Sequence, residues 1–157
     1  TQALNAVTVA TVVTTLLIPL MGALSDRIGR KTVYIAGVLM MMAYAFPYFW
    51  LLQTRSFSML ILATVIGLGV IWAPTTAVLG TMFSEIFKSN GRYTGITLGY
   101  QIGAALAGGT APLVATFLLA KFDHSYVPIA LYIIFTGLVS LVAIAAVSER
   151  SGRQLDE

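Results

Sequence analysis

Five long apolar stretches, separated by short polar segments, make up almost the whole chain. None of them contains a charged residue, and each meets the requirement of about 20 apolar residues for a helix that crosses the hydrocarbon core of a membrane. The uncharged stretches are Thr1–Ser25, Thr32–Thr54, Ser56–Ser84, Tyr93–Ala120 and Ser125–Ser148. The pattern predicts five transmembrane helices, near residues 3–24, 32–53, 57–83, 93–120 and 126–147.

These helices are expected to form one all-α membrane domain over residues 1–148, followed by a polar cytoplasmic tail at 149–157. Because the connections are short, consecutive helices are expected to run antiparallel and to pack as neighbours. Charged residues make up only 10% of the chain, whereas a soluble domain carries roughly 25%. The net charge of +3 does not indicate nucleic-acid binding, since the basic residues are spread over short loops. The predicted surroundings are the lipid bilayer.

The distribution of lysine and arginine orients the chain. Three cations lie between the first two helices, two between the third and fourth, and two in the tail, whereas each opposite connection holds one. Loops rich in these residues stay in the cytoplasm. The N-terminus of this chain is therefore predicted outside and the C-terminus inside. In chain order, the cations are Arg27, Arg30, Lys31, Arg55, Lys88, Arg92, Lys121, Arg150 and Arg153.

The chemistry of the chain does not indicate an enzyme. It has no cysteine, which excludes a disulfide, a thiolate nucleophile and a cysteine-based metal site. The spans carry no acid, base and nucleophile at catalytic spacing, and no phosphate loop is present. Neither a cofactor nor a metal is predicted. No ionisable residue lies inside a span, so if the protein couples transport to protons, the coupling residue is expected outside this chain.

Isolated polar residues inside the spans are the candidates for a substrate cavity. The threonines of the first helix recur within about 60° of arc; they either bond carbonyls of their own helix or face a water-filled cavity. The tryptophan of the third helix lies too deep for the aromatic belt, beside a helix-bending proline, and either packs in the interior or lines the cavity. The candidates are Thr8, Thr11, Thr15, Trp72, Thr76, Tyr100 and Gln101.

The fourth helix combines regularly spaced glycines with one polar residue, Gln101, that is costly to expose to lipid. Gly95, Gly99 and Gly103 recur every fourth residue, a spacing that allows a second helix to approach closely. Gln101 is costly in lipid, so it is expected to face a cavity or the protein interior. Its two interpretations are a substrate contact and an interhelical hydrogen bond.

The most concentrated charge lies in the segment from Gly22 to Lys31, with the sequence Gly-Ala-Leu-Ser-Asp-Arg-Ile-Gly-Arg-Lys. Gly29 allows a tight turn there. Asp26 is expected to pair with Arg92, and Glu85 with Arg27 or Arg30, so that the inner helix ends are held together and can be released. The alternative is two solvated loops that only set the topology, with exposed ion pairs worth about 0–1 kcal/mol.

This segment closely resembles the loop signature of the major facilitator superfamily. The run Leu98-Gly-Tyr-Gln-Ile-Gly-Ala-Ala-Leu-Ala-Gly-Gly-Thr-Ala-Pro-Leu113 resembles helix eleven of its metabolite:proton symporter family. By this resemblance the gating positions are Gly22, Asp26, Arg27, Gly29, Arg30 and Lys31, with Glu85 and Arg92 as charged partners. The segment from Glu85 to Arg92 resembles the family pattern Glu-x-Phe-Pro-x-x-x-Arg, but Lys88 stands where the family usually has the proline.

The resemblance implies helices eight to twelve, in the C-terminal half of a twelve-helix transporter of a bacterial inner membrane, with helices one to seven missing. The implied function is alternating-access transport of a small polar metabolite such as a carboxylate, betaine or amino acid, with protons as the coupled ion. A sugar or drug facilitator of the same superfamily, and a non-transporting membrane scaffold, are the alternatives.

Overall fold

Five long helices account for nearly all of the computed structural model, which describes residues 2–86 and 92–146 and all of their side chains except those of 83–86 and 92–93. All five are long and apolar enough to cross a membrane. The predicted all-α architecture with five spans is therefore confirmed. The helices are α1 (Gln2–Ile28), α2 (Arg30–Gln53), α3 (57–86), α4 (92–121) and α5 (Val127–Ala146). The predicted tail lies outside the described residues.

Two of these helices contain a π-helical segment. Val65–Ile71 interrupts α3, and Ala104–Gly108 interrupts α4. Each segment ends about one turn before a proline, Pro74 in α3 and Pro112 in α4. A proline has no N–H for the carbonyl four residues earlier, and π-type bonding is one way in which membrane helices satisfy the freed groups. In both helices a π segment thus precedes the proline.

A single residue, Gly29, separates α1 from α2. Its backbone has φ 95° and ψ 136°, a conformation that L-residues with a side chain rarely adopt. The Gly29 N–H donates to the Ser25 carbonyl at 3.0 Å, and the Val33 N–H donates to the Gly29 carbonyl at 3.2 Å. Glycine at this position therefore lets one helix end and the next begin without an intervening loop.

We expect Gly29→Ala to lower the free energy of unfolding by about 1–2 kcal/mol, because the added Cβ strains a backbone with positive φ. Gly80→Ala is the matched control, since a Cβ there would have no described atom within 4 Å and alanine favours a helix interior. Unfolding of both variants in detergent, followed by circular dichroism, measures the difference. Equal stability of the two variants would contradict a strained turn.

The packing order of the helices differs from their order in the chain. α3 lies against both α1 and α2, and α5 lies against α2, whereas the contact between α1 and α2 is smaller. Helices α1 and α2 are neighbours, as expected of consecutive helices, but α1 packs mainly on α3. The physical reason is the small residues facing each other: Ala6 and Ala10 of α1 and Gly69 of α3 are all buried.

Glycines make the closest helix contacts. A Cβ on Gly69 would lie 3.1 Å from Cγ1 of Val13, and a Cβ on Gly37 would lie 2.8 Å from Cγ2 of Thr75 and 3.2 Å from Cβ of Pro74. The backbones of α1 and α3, and of α2 and α3, approach as closely as the missing side chains allow. These two glycines thus have the packing role that the sequence suggested for the glycines of α4.

The Gly29 turn and the C-terminal ends of α3 and α5 lie at the same end of the bundle. We call this end the charged end. Val33 of α2, Val78 and Met82 of α3 and Ile144 of α5 form a buried apolar cluster there. At the opposite end of α2, Phe49 stacks on Tyr126, the residue before α5, with ring centroids 5.7 Å apart. Helices α2 and α5 therefore run antiparallel.

Helix α4 stands apart from the rest of the bundle. None of its described side chains is buried, and it contacts α3 and α5 only sparsely. A Cβ on Gly99 or on Gly103 would have no described atom within 4 Å, whereas Gly95 is half-buried. In the part of the chain that the structure describes, the small residues at 99 and 103 therefore make no helix–helix contact.

Candidate functional site

The charged end holds an ion pair that the sequence analysis did not predict. Nη2 of Arg30 lies 3.5 Å from Oδ1 of Asp26, across the Gly29 turn. The side chain of Asp26 is 66% exposed and that of Arg30 is 25% exposed. The expected partners Glu85 and Arg92 have side chains outside the described residues. The pair found here is local, and water screens most of its strength.

Other residues of the same segment have structural partners. Nζ of Lys31 donates to the carbonyl of Ala145 at 3.5 Å, in the last turn of α5, where a cation is favoured by the helix dipole. Ser25 is buried, and its hydroxyl donates to the Gly22 carbonyl at 2.7 Å. Arg27 is exposed. The segment thus joins the ends of α1, α2 and α5.

The threonines of α1 lie on an exposed face, and their hydroxyls bond their own helix. Thr8 donates to the Leu4 carbonyl at 2.9 Å, and Thr11 and Thr15 donate to the carbonyls four residues earlier at 2.8 Å. The hydroxyl protons of these threonines are therefore used within α1, as in the interpretation that they bond carbonyls of their own helix. The hydroxyl oxygens retain acceptor capacity towards water or a ligand.

A shallow concavity of about 380 Å³ runs along the same face of α1. Its walls are mostly aliphatic, and the threonine hydroxyls supply its polar atoms. The described residues that line it are Val7, Thr8, Thr11, Val12, Thr15 and Leu16. The described lining thus offers hydroxyl oxygens and no charged group.

The remaining cavity candidates are also exposed. Trp72 begins the α-helical part of α3 directly after the π segment and is 51% exposed, and Thr76 is exposed one turn later. On α4, Tyr100 is 53% exposed and Gln101 is exposed. Helices α1 and α3 pack together, but α1 does not touch α4 among the described residues. The cavity candidates of α1 and those of α3 therefore lie on adjoining helices, whereas those of α4 lie on a helix that does not contact α1 among the described residues.

Sequence reasoning missed Thr14, which links α1 to α3. Its hydroxyl lies 2.8 Å from the carbonyl of Leu68, within the π segment. Gly67 and Gly69, on either side of Leu68, were the available signal, because paired glycines in a membrane helix mark a close approach of another helix.

Comparison with known proteins places the chain in a family. The family model of the Major Facilitator Superfamily matches residues 1–154. The ectoine/proline transporter ProP of Corynebacterium glutamicum is 36% identical over 147 residues, which are 92% of this chain and 28% of that protein. The shikimate transporter of Escherichia coli is 32% identical over 125 residues, which are 80% of this chain and 28% of that protein.

A third relative is the citrate-proton symporter of Klebsiella pneumoniae, 28% identical over 134 residues, which are 85% of this chain and 30% of that protein. No solved structure matches the chain significantly. The chain therefore spans less than a third of the length of these relatives. With a family match along nearly its whole length and five membrane-length helices, the chain belongs to the Major Facilitator Superfamily.

Proposed function

We propose that this chain is part of a secondary active transporter that moves a small polar metabolite across the membrane by alternating access, together with protons. The observation that carries the proposal is the family match over residues 1–154. The relatives are named for ectoine and proline, for shikimate, and for citrate with protons, all of them small and polar. In such transporters two helical bundles rock around a site near the membrane midplane.

The five helices take the positions of helices eight to twelve, in the C-terminal half. The loop signature from Gly22 to Lys31 and the helix-eleven pattern from Leu98 to Leu113 support this placement. The remaining helices of the transporter are then the partner of this bundle. The open face of α4 around Gly99 and Gly103 offers them a surface on which another helix can approach closely.

The charged end lies in the cytoplasm, and the opposite end lies outside the plasma membrane of a bacterium. The bias of lysine and arginine towards the connections at the charged end supports this orientation. Asp26, Arg30 and Lys31 lie beside the end of α3, since Val33, Val78 and Met82 share one apolar cluster. Glu85 belongs to the last turn of α3, which ends at that same end of the bundle, and Arg92 is the first residue of α4. The charged side chains there form the inner gate.

The exposed polar residues of α1, α3 and α4 line the substrate cavity. Their exposure in this chain supports the proposal, because a cavity between two bundles is open when only one of them is present. The proposed lining comprises Thr8, Thr11, Thr15, Trp72, Thr76, Tyr100 and Gln101.

Uptake by the full-length carrier in proteoliposomes tests the function. Labelled proline, ectoine, shikimate and citrate are offered in turn, with and without an inward proton gradient. We expect one of them to accumulate, and a protonophore to remove the accumulation. Gradient-independent equilibration of a sugar or a drug would favour a facilitator, and no movement of any solute would favour a scaffold.

We expect Gln101→Ala to raise the KM of the carried metabolite severalfold while the amount of inserted protein stays unchanged, because the exposed amide is lost as a hydrogen-bond partner. Leu106→Ala is the control, a truncation on the same helix of a side chain that is 66% exposed. Initial uptake rates over a range of concentrations separate KM from maximal rate. An unchanged KM in Gln101→Ala would assign the side chain to packing.

A further inference from the structure

The π segment of α3 leaves one carbonyl without its usual partner. The N–H of Trp72 donates to the carbonyl of Gly67, five residues earlier. In a continuous α-helix that N–H would donate to the carbonyl of Leu68. Inside a membrane a backbone carbonyl without a donor is costly. The Leu68 carbonyl has therefore lost its α-helical donor and can accept a bond from outside its own helix.

Thr14 donates such a bond. Its Oγ1 lies 2.8 Å from the Leu68 carbonyl of α3 and also 2.8 Å from the Ala10 carbonyl of its own helix. A hydroxyl has one proton, so the two carbonyls are alternative acceptors. Thr14 stands at the middle of α1 and is partly buried.

The close approach of the two backbones supports the same contact independently. Gly69 is buried, and a Cβ there would lie 3.1 Å from Cγ1 of Val13 and 3.5 Å from the Ala10 carbonyl. Only a residue without a side chain lets α1 come this near to the π segment. The short threonine side chain can then span the gap to Leu68.

We propose that Thr14 is a positioning residue for transport, whose hydroxyl holds the π segment of α3 and thereby sets the direction of Trp72 and Thr76. A π segment inserts one extra residue into the helix, and one residue corresponds to about 100° of rotation in an α-helix. If the segment returned to α-helix, the part of α3 that follows would present a different face to α1. The proposal rests on the proposed function, which places Trp72 and Thr76 in the cavity.

A cysteine at position 76 reports the direction of this face. This chain has no cysteine of its own, so Thr76→Cys is introduced into a full-length carrier from which any other cysteine has been removed. The rate of labelling by a water-soluble maleimide is compared between Thr14, Thr14→Val and Thr14→Ser. Thr136→Val is the matched control, since Thr136 is also partly buried but donates within its own helix, to Ile133.

We expect Thr14→Val to change the labelling rate by at least about threefold, the lower range for losing an interhelical hydrogen bond between membrane helices. Thr14→Ser retains the hydroxyl and is expected to label like the parent, as is Thr136→Val. An unchanged rate in Thr14→Val, or the same change in Thr14→Ser, would overturn the proposal. If Thr14→Val does not insert, Thr14→Ala removes the hydroxyl without adding bulk and is judged by the same outcomes.

Transport without the reporter cysteine gives a second readout. We expect Thr14→Val to lower the maximal uptake rate and Thr14→Ser to restore it, because the serine hydroxyl can make the same bond. Equal loss in both variants would overturn the role of the hydroxyl. If the parent carrier moves none of the tested metabolites, the proposed function fails, while the labelling experiment still decides whether Thr14 sets the direction of residue 76.

Discussion

Replacing Asp26 with asparagine is expected to abolish transport by the full-length carrier while the protein still inserts and remains folded. The side chain is 66% exposed, and its bond to Arg30 is 3.5 Å long. Exposed pairs of this kind contribute about 0–1 kcal/mol, so the loss of stability is small. The proposed role depends on the carboxylate charge at the inner gate, which asparagine lacks while keeping the shape.

Asp123→Asn is the control for this experiment. Asp123 is exposed in the connection between α4 and α5, at the opposite end of the bundle, with φ 49°, a conformation that asparagine tolerates well. Uptake and surface expression are measured for both variants. If Asp26→Asn transports like the parent, the charged segment is only a topology signal.

Gly37→Val is expected to destabilise the bundle by about 3 kcal/mol, at the upper end of what overpacking usually costs. A Cβ at this position already lies 2.8 Å from Cγ2 of Thr75 and 3.2 Å from Cβ of Pro74. The rigid proline ring cannot move aside by rotating, so α2 and α3 must separate. Because α2 also packs on α5, the disturbance reaches three helices.

Gly80→Val separates this effect from the helix propensity of valine. A Cβ at Gly80 would have no described atom within 4 Å, so only the small propensity difference remains. Unfolding by a denaturing detergent, followed through helix content, compares the two variants. Comparable stabilities would contradict a tight contact between α2 and α3.

Sequence alone predicted the spans well, because the length of an uncharged apolar run is a direct physical requirement of the bilayer. It also identified the family, since the motif from Gly22 to Lys31 is dense and specific. It did not predict which helices touch. In helices that are apolar on every side, hydrophobicity does not mark the face that packs, so the pattern did not show that Gly37 lies against another helix whereas Gly99 and Gly103 do not.

For the same reason, the sequence selects candidate residues for the site but does not predict their contacts. Polarity in an apolar span is easy to detect, and it selected Thr8, Thr11 and Thr15, which share one exposed face. Hydrogen-bond partners depend on helix rotation and on local departures from α-helix. Thr14 looked like its neighbour in the sequence, and its link to Leu68 lies within a π segment of α3 that the sequence did not predict. The Asp26–Arg30 pair depends likewise on the geometry of the Gly29 turn.

The one-residue connection at Gly29 also has a mechanical consequence. Because only one residue joins the two helices, we expect any tilt or shift of α1 at the charged end to move the start of α2 as well. Lys31 extends the linkage to the last turn of α5 through the Ala145 carbonyl. The first, second and fifth helices are thus connected at that end, and we expect a displacement of α1 there to be accompanied by displacements of α2 and α5.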